Sequence, residues 1–255
     1  MNRKAFTLAE VLITLGIIGV VAALTLPSLI ANYRDKQTVT QLKKAYSTIA
    51  QAYEKATFDE GTPDTWGLNG AGAGNPHDSN IILNILSSYI MQLRICENAA
   101  GCWPDVKYKQ LNGTTDGANI NTSQTYGKAI INDGMLMYVY SKGMANCDGK
   151  RGTTKEFQSV CATFTVDVNG YKRPNTFGKD TFSFIISKYG IYPQGSQFDT
   201  SAPMTGGSVG ACDMNIAKNN SDTNGLGCTA WVLQNENLDY LHCQGIGWNG
   251  KTKCN

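Results

Sequence analysis

Few residues in this chain have types and spacings that could do chemistry, and most lie in its second half. The sharpest group runs Asp167-Val168-Asn169-Gly170 and returns at Asp180. A D-x-N-G start sets two oxygen side chains around a sharp turn, as calcium loops do, and Asp180 would add a carboxylate. Gly178 stands where the bidentate Glu of such a loop belongs, and Lys172, Arg173 and Lys179 add opposing charge. The segment therefore reads first as Asx and Gly turns joining two strands. A Ca2+ ion held by Asp167, Asn169 and Asp180 is the second reading.

Other candidates carry plainer alternatives. Gly206-Gly207-Ser208-Val209-Gly210 matches the G-x-S-x-G nucleophile elbow, but that motif needs a strand before it and a helix after it. Here it falls in a long Gly/Ser stretch and reads as a loop. His77 sits beside Pro76 and Asp78 in a turn-rich connector and reads as a solvated side chain. Trp66, Trp103, Trp231 and Trp248 fall in loops or near cysteines. They serve either as core filler for a small head or as a ligand surface. No phosphate-binding Gly loop, H-E-x-x-H or dinucleotide fingerprint occurs.

The elements that must position these residues divide the chain unevenly. Its 255 residues hold 22 Lys+Arg, 20 Asp+Glu and 2 His, with 16% charged residues and 27 Gly. A net charge of +2 excludes a basic nucleic-acid binder as a whole-chain property, and two histidines leave little room for His-rich metal catalysis. Phe6 to Leu26 contains one charge, Glu10. As a helix it spans about 31 Å, enough for a bilayer core. Arg3 and Lys4 before the span place the N-terminus on the cytoplasmic side. A cleaved secretory signal would be shorter and end in an A-x-A-like site. A plain anchor accounts for the length but not for Glu10, since a carboxylate in an apolar span needs a partner.

Taken together, Lys4-Ala5-Phe6-Thr7-Leu8-Ala9-Glu10 and the apolar run behind it resemble the prepilin-type signal of type IV pilins and type II secretion pseudopilins. The resemblance covers about the first 60 residues. It implies cutting by a prepilin peptidase between Ala5 and Phe6, methylation of the new N-terminus, and assembly through an inner-membrane platform. The family usually has Gly before the cut, where this chain has Ala5. It further implies that Glu10 of one subunit neutralises the Phe6 amine of a neighbour in the fibre and sets the axial register. An ammonium and a carboxylate one helical turn apart interact strongly at low dielectric.

Pro27 is expected to interrupt the helix at the membrane exit. Beyond it Val39, Leu42, Ala45, Tyr46, Ile49, Tyr53 and Ala56 recur at 3–4-residue spacing, one apolar stripe on a polar helix. Residues 6–57 would form a kinked rod roughly 75–80 Å long. The expected organisation is a leader at 1–5, the helix at 6–57 and an α+β head at 58–255.

In the head, Phe58 to Asn80 reads as a turn-rich connector and Ile81 to Ile95 as a second helix. Four strands are predicted at Lys128–Asn132, Met135–Tyr140, Cys161–Val168 and Thr181–Ser187. The first two flank Asp133-Gly134, a strong hairpin signal. Residues 188–227 lose all periodicity, and Trp231 to Leu241 reads as a short helix or irregular segment. The fold class is thus α+β and pilin-like: a long N-terminal helix on an antiparallel sheet of about four strands, with disulfide-stapled C-terminal loops. All eight cysteines (Cys96, Cys102, Cys147, Cys161, Cys212, Cys228, Cys243, Cys254) lie beyond the membrane segment. An even count in an outward-facing, Gly-rich head argues for disulfides, and the lack of C-x2-C argues against zinc. Many connectivities are open; sequence order suggests 96–102, 147–161, 212–228 and 243–254.

The expected product is a non-enzymatic structural subunit of a type IV pilus or a secretion pseudopilus. Its partners would be other subunits, the peptidase, the platform and the membrane. Two alternatives stay open: a minor tip subunit binding DNA or a surface ligand, and a membrane-anchored enzyme outside the cytoplasm.

Overall fold

A computed structural model describes residues 7–115, 119–201, 211–215 and 224–254. The chain divides into two compact units, residues 1–37 and 38–255. Helix α1 (Leu8–Glu60) begins in the first and ends in the second. In the first unit its leucines, isoleucines and valines face outward: Leu12, Ile13, Ile18 and Leu24 are each more than 60% exposed. A helix that is apolar on every side has no core to serve in this unit. By length and composition it can cross a membrane. Pro27 lies inside the helix, which is assigned without a break through it.

The second unit is built on a six-stranded antiparallel sheet in the order β1-β2-β3-β4-β5-β6. Its strands are β1 (Gln92–Glu97), β2 (Gly127–Ile131), β3 (Leu136–Ser141), β4 (Val160–Asp167), β5 (Thr181–Ser187) and β6 (Gly190–Pro193). Four of them answer the predicted strands; β1 and β6 are additional. The β2–β3 turn is the expected hairpin, with Asp133 at φ 59° and Gly134 at φ 74°, left-handed backbone that Asp and Gly tolerate.

Alternation along the strands separates the two faces. Phe164 and Val166 of β4 and Phe182, Phe184 and Ile186 of β5 point to the main core, where the α1 stripe lies over them. Leu42 and Ile49 are fully buried, Tyr46 stacks on Phe184 at 5.6 Å, and the Tyr53 hydroxyl donates to Ser187 O at 2.9 Å. Helix α2 (Pro76–Ser87) joins the same core through Ile82, Leu83 and Leu86. The opposite face presents Leu136 and Tyr138, covered by the long β1–β2 connection with Trp103, Tyr108 and Ile120.

Helix α2 starts and ends earlier than the predicted Ile81–Ile95. Asn75 caps it by accepting the His77 N–H at 3.1 Å, and Pro76 takes the first helical position, where no N–H is needed. The apolar run past Ser87 then leaves the helix and pairs with β2 (Arg94 with Ile130, Ile95 with Ala129). A short apolar stretch can satisfy its backbone either way, and an available sheet edge decides it. Asp78 in the first turn of α2 is fully buried and accepts the N–H groups of Asn69 and Gly70 at 2.9 and 3.1 Å, pinning the connector. Helix α3 (Cys228–Asn235) begins before the predicted segment and buries Trp231 and Val232 in the main core.

Disulfides join Cys96–Cys102, Cys147–Cys161, Cys212–Cys228 and Cys243–Cys254, and no described cysteine is free. Each closes a short loop, with partners 6 to 16 residues apart in sequence.

Candidate functional site

The N-terminal turn of α1 carries the first candidate. Thr7 donates its backbone N–H to Glu10 Oε2 at 2.8 Å and its hydroxyl to the same oxygen at 2.9 Å. Glu10 returns its own N–H to Thr7 Oγ1 at 3.2 Å. This reciprocal pair is a capping box, Thr at the cap and Glu three residues on, closing donors that the first helical turn leaves open. The T-x-x-E spacing needed for it is legible in the sequence, yet the prepilin reading of Glu10 draws attention away from Thr7. Ala5 and Phe6 lie outside the described residues. Glu10 is therefore held locally by Thr7, exposed on an otherwise apolar helix.

The second candidate is the connection between β4 and β5. Asp167 and Asp180 are both buried there. Asp167 Oδ2 accepts the Tyr108 hydroxyl at 2.5 Å, and Oδ1 accepts the Asn169 N–H at 3.2 Å. Asp180 Oδ2 accepts the Asn175 N–H at 2.7 Å and Asn169 Nδ2 at 3.1 Å, while Oδ1 accepts the Thr176 N–H at 2.7 Å. Burial pushes the Asp167 carboxyl well above its usual range, and the Asp180 charge adds to that against the Tyr108 and Asn169 donors. Asp180 is raised as well, chiefly by burial, with the Thr176 and Asn175 N–H groups opposing.

Calcium fits this donor set poorly. Every carboxylate oxygen of the pair already accepts a hydrogen bond from the chain itself, so N–H and O–H dipoles point their positive ends where a cation would sit. Among the described residues no three His, Cys, Asp or Glu side chains gather as a metal cluster. Asn169 Oδ1 and Asn175 Oδ1 are buried acceptors with no protein partner, a pair of sites suited to bridging water. What the arrangement does is hold the β4–β5 connection closed.

The remaining candidates are distributed as follows. Trp66, Trp103 and Trp231 are buried, and Trp248 is half-buried against Trp231 with ring centroids 5.2 Å apart. They are core aromatics, not an adhesion surface. His77 is an exposed side chain whose Nδ1 lies 3.2 Å from Asp78 Oδ1. The G-x-S-x-G segment lies outside the described residues. Among the described residues, sequence reasoning missed a buried cation. Lys128 projects from β2 beneath the β1–β2 connection and donates to Ser123 O at 2.6 Å and Asn98 O at 3.0 Å. Only its place in a β-run hints at burial.

An exposed apolar helix opened by a Thr7–Glu10 cap, joined in sequence to a disulfide-stapled α+β head, defines a pilin-like secreted subunit. The comparison with known families agrees. The prokaryotic N-terminal methylation motif matches residues 1–26, the prepilin signal of type IV pilins and pseudopilins. A second model, described as a family of unknown function (DUF6613), matches residues 28–235, and the chain belongs to that family. No curated protein and no solved structure matches the chain.

Proposed function

We propose that this chain is a structural subunit of a type IV pilus or a type II secretion pseudopilus. It is made as an inner-membrane precursor, cut by a prepilin peptidase between Ala5 and Phe6, and methylated. It then assembles with other subunits on an inner-membrane platform into a periplasmic or cell-surface fibre. The observation that carries the reading is the methylation motif over residues 1–26, with Glu10 as the one charge in the apolar span behind Phe6. A carboxylate in that setting requires a partner, and the amine freed at Phe6 supplies one. The head supports a structural role over an enzymatic one: its perturbed carboxylates are consumed by the chain's own donors and are buried away from any substrate.

Two measurements test the proposal. The intact mass of the purified mature protein should show loss of Met1–Ala5, one added methyl group and the loss of two hydrogens per disulfide. An uncut N-terminus would leave a plain membrane anchor. Glu10→Val should abolish or disorder fibre incorporation while the thermal midpoint of the head is unchanged. Normal fibres from that variant would sink the Glu10 contact.

A further inference from the structure

The head carries a cluster of cations at one end of its sheet and a cluster of carboxylates on the last turns of α1, and we infer that these two patches are the two halves of a repeating contact between copies of this chain. The inference rests on the assembly reading above. At one end of the sheet the β4–β5 and β2–β3 turns lie together, with the Gly170 backbone close against Gly134 O. Around the β4–β5 turn stand Arg94, Lys107, Lys109, Lys172 and Arg173, all exposed, and half-exposed Lys179. Backbone contacts gather them: Lys109 N–H donates to Asn175 O at 3.0 Å, and Gly101 O accepts both Tyr171 Oη at 3.0 Å and Arg94 Nη1 at 3.5 Å. None of the six forms an ion pair among the described residues. Tyr171, 53% exposed, stands in their midst.

The other end lies along β5, about 20 Å away at ~3.3 Å per residue over Thr181–Ser187. Tyr53 bonds Ser187 O there, which places the last turns of α1 at this end. Those turns expose Glu54, Asp59 and Glu60, with Lys55 as the one cation among them. Asp64 and Lys188 nearby are already paired, and Lys155 is engaged over the Tyr189 ring. Acids in the last turn of a helix oppose its dipole, and this last turn holds no base. Phe58 stands 89% exposed between the acids, beside Tyr89, whose hydroxyl donates to Asp59 at 2.9 Å.

Both ends are therefore unfavourable in the isolated head. One crowds six cations around a turn whose exposed acids are Asp105, beside Lys107, and Asp133, already paired with Lys44, and the other sets carboxylates against the helix dipole beside a bare aromatic ring. Docking the first on the second relieves both. It brings Lys172 and Arg173 to the C-terminal pole of α1, where cations are favoured, and covers Phe58 with Tyr171. Because the two patches differ and sit at opposite ends, the contact is heterologous and does not close on itself. Repetition gives an open array.

The test is a charge swap in the full chain, scored by the amount of sheared fibre. Lys172→Glu with Arg173→Glu reverses one end; Glu54→Lys with Glu60→Lys reverses the other. Among the described residues the Glu54 and Glu60 carboxylates make no hydrogen bond or ion pair within the head, and the change adds bases where the dipole favours them. Each pair alone should cut assembled subunit about tenfold or more, with the head's thermal midpoint held. All four changes in one chain should recover most of the loss. Two outcomes overturn the inference: wild-type fibre yield from either single reversal, or loss in both without recovery in the combination. Duplex DNA retained by wild type and lost in Lys172→Glu/Arg173→Glu, with fibre yield unchanged, would assign the basic end to a polyanion instead. If wild type gives no fibre at all, the assembly reading itself fails; unaffected fibre in the reversals removes only this contact.

Discussion

At the scale of residues, the head is governed by ionisable groups placed where water cannot reach them. The Asp167 and Asp180 carboxyls are raised in the folded state, so between the unfolded aspartate value of about 4 and their raised values the native chain holds more protons than the unfolded one. Stability from this pair is full below that window and is lost as pH rises through it. The groups facing Asp167 are Asp180 and the Tyr108 hydroxyl, and neither brings a compensating positive charge. Lys128 has the opposite sign. Burial lowers it to about 8, so the native chain holds fewer protons than the unfolded one from there to about 10.4, and stability rises with pH across that range. Thermal midpoints of the oxidised protein should therefore fall from mildly acidic pH toward neutrality and recover in alkali. Asp167→Asn should flatten the acid limb alone; an unchanged limb would show that other groups govern it. Tyr108→Phe removes a donor to a buried carboxylate and should cost roughly 1–3 kcal/mol, more at neutral pH than in acid, by denaturant titration. Added Ca2+ should leave the midpoint of the wild-type head where it is, since the donors already fill the site.

At the scale of elements, the α1 stripe is the member that joins helix to sheet. Ile49 is fully buried in the main core, and Ile49→Ala should cost about 2–5 kcal/mol, read by urea titration of the head. The C-terminal region depends on covalent links instead. Cys212→Ser with Cys228→Ser frees the segment before α3 from its first residue and should cost about 3 kcal/mol, a fall of roughly 6–12 °C in thermal midpoint. What the sequence made legible follows the same division. β4 and β5 are rich in β-branched and aromatic residues, and the Asp133-Gly134 turn announces its hairpin; neither needs a distant partner to be recognised. β1 continues a helix-like apolar run, and β6 is a four-residue edge inside a Gly-rich tract, so only the waiting sheet edges make them strands. The Thr7–Glu10 cap is local enough to follow from its T-x-x-E spacing, although the expectations for Glu10 concern assembly alone. The basic patch was not legible, because Arg94, Lys107 and Lys172 are distant in sequence and meet only when the β4–β5 turn closes over Gly101.

At the scale of the whole molecule, near-neutrality conceals a polar arrangement. The excess of +2 equals the charge of Arg3 and Lys4, so the cleavage proposed above would leave side chains of balanced formal charge. Within the head, cations nonetheless cluster around the β4–β5 turn and carboxylates on the last turns of α1, where Lys55, Lys155 and Lys188 also lie. A neutral subunit with separated charge gains little from long-range attraction but much from contact in one orientation. The apolar surface of α1 between residues 8 and 30 gives association no such direction, because it is exposed on all sides and equally apolar around the helix. The two contributions respond differently to salt. Apolar association is not weakened by screening, whereas exposed charge pairs are screened beyond ~10 Å at 0.1 M and ~3 Å at 1 M. Raising NaCl from about 0.1 to 1 M should therefore loosen head-to-head order while subunits stay associated through their helices. Fibres examined by electron microscopy should thicken or lose their regular helical repeat without dissolving to monomer. In the four-residue charge-swapped chain, salt should act as it does on wild type, since the sign pattern is restored. Fibres whose helical repeat is indifferent to salt would show that α1 alone sets the lattice.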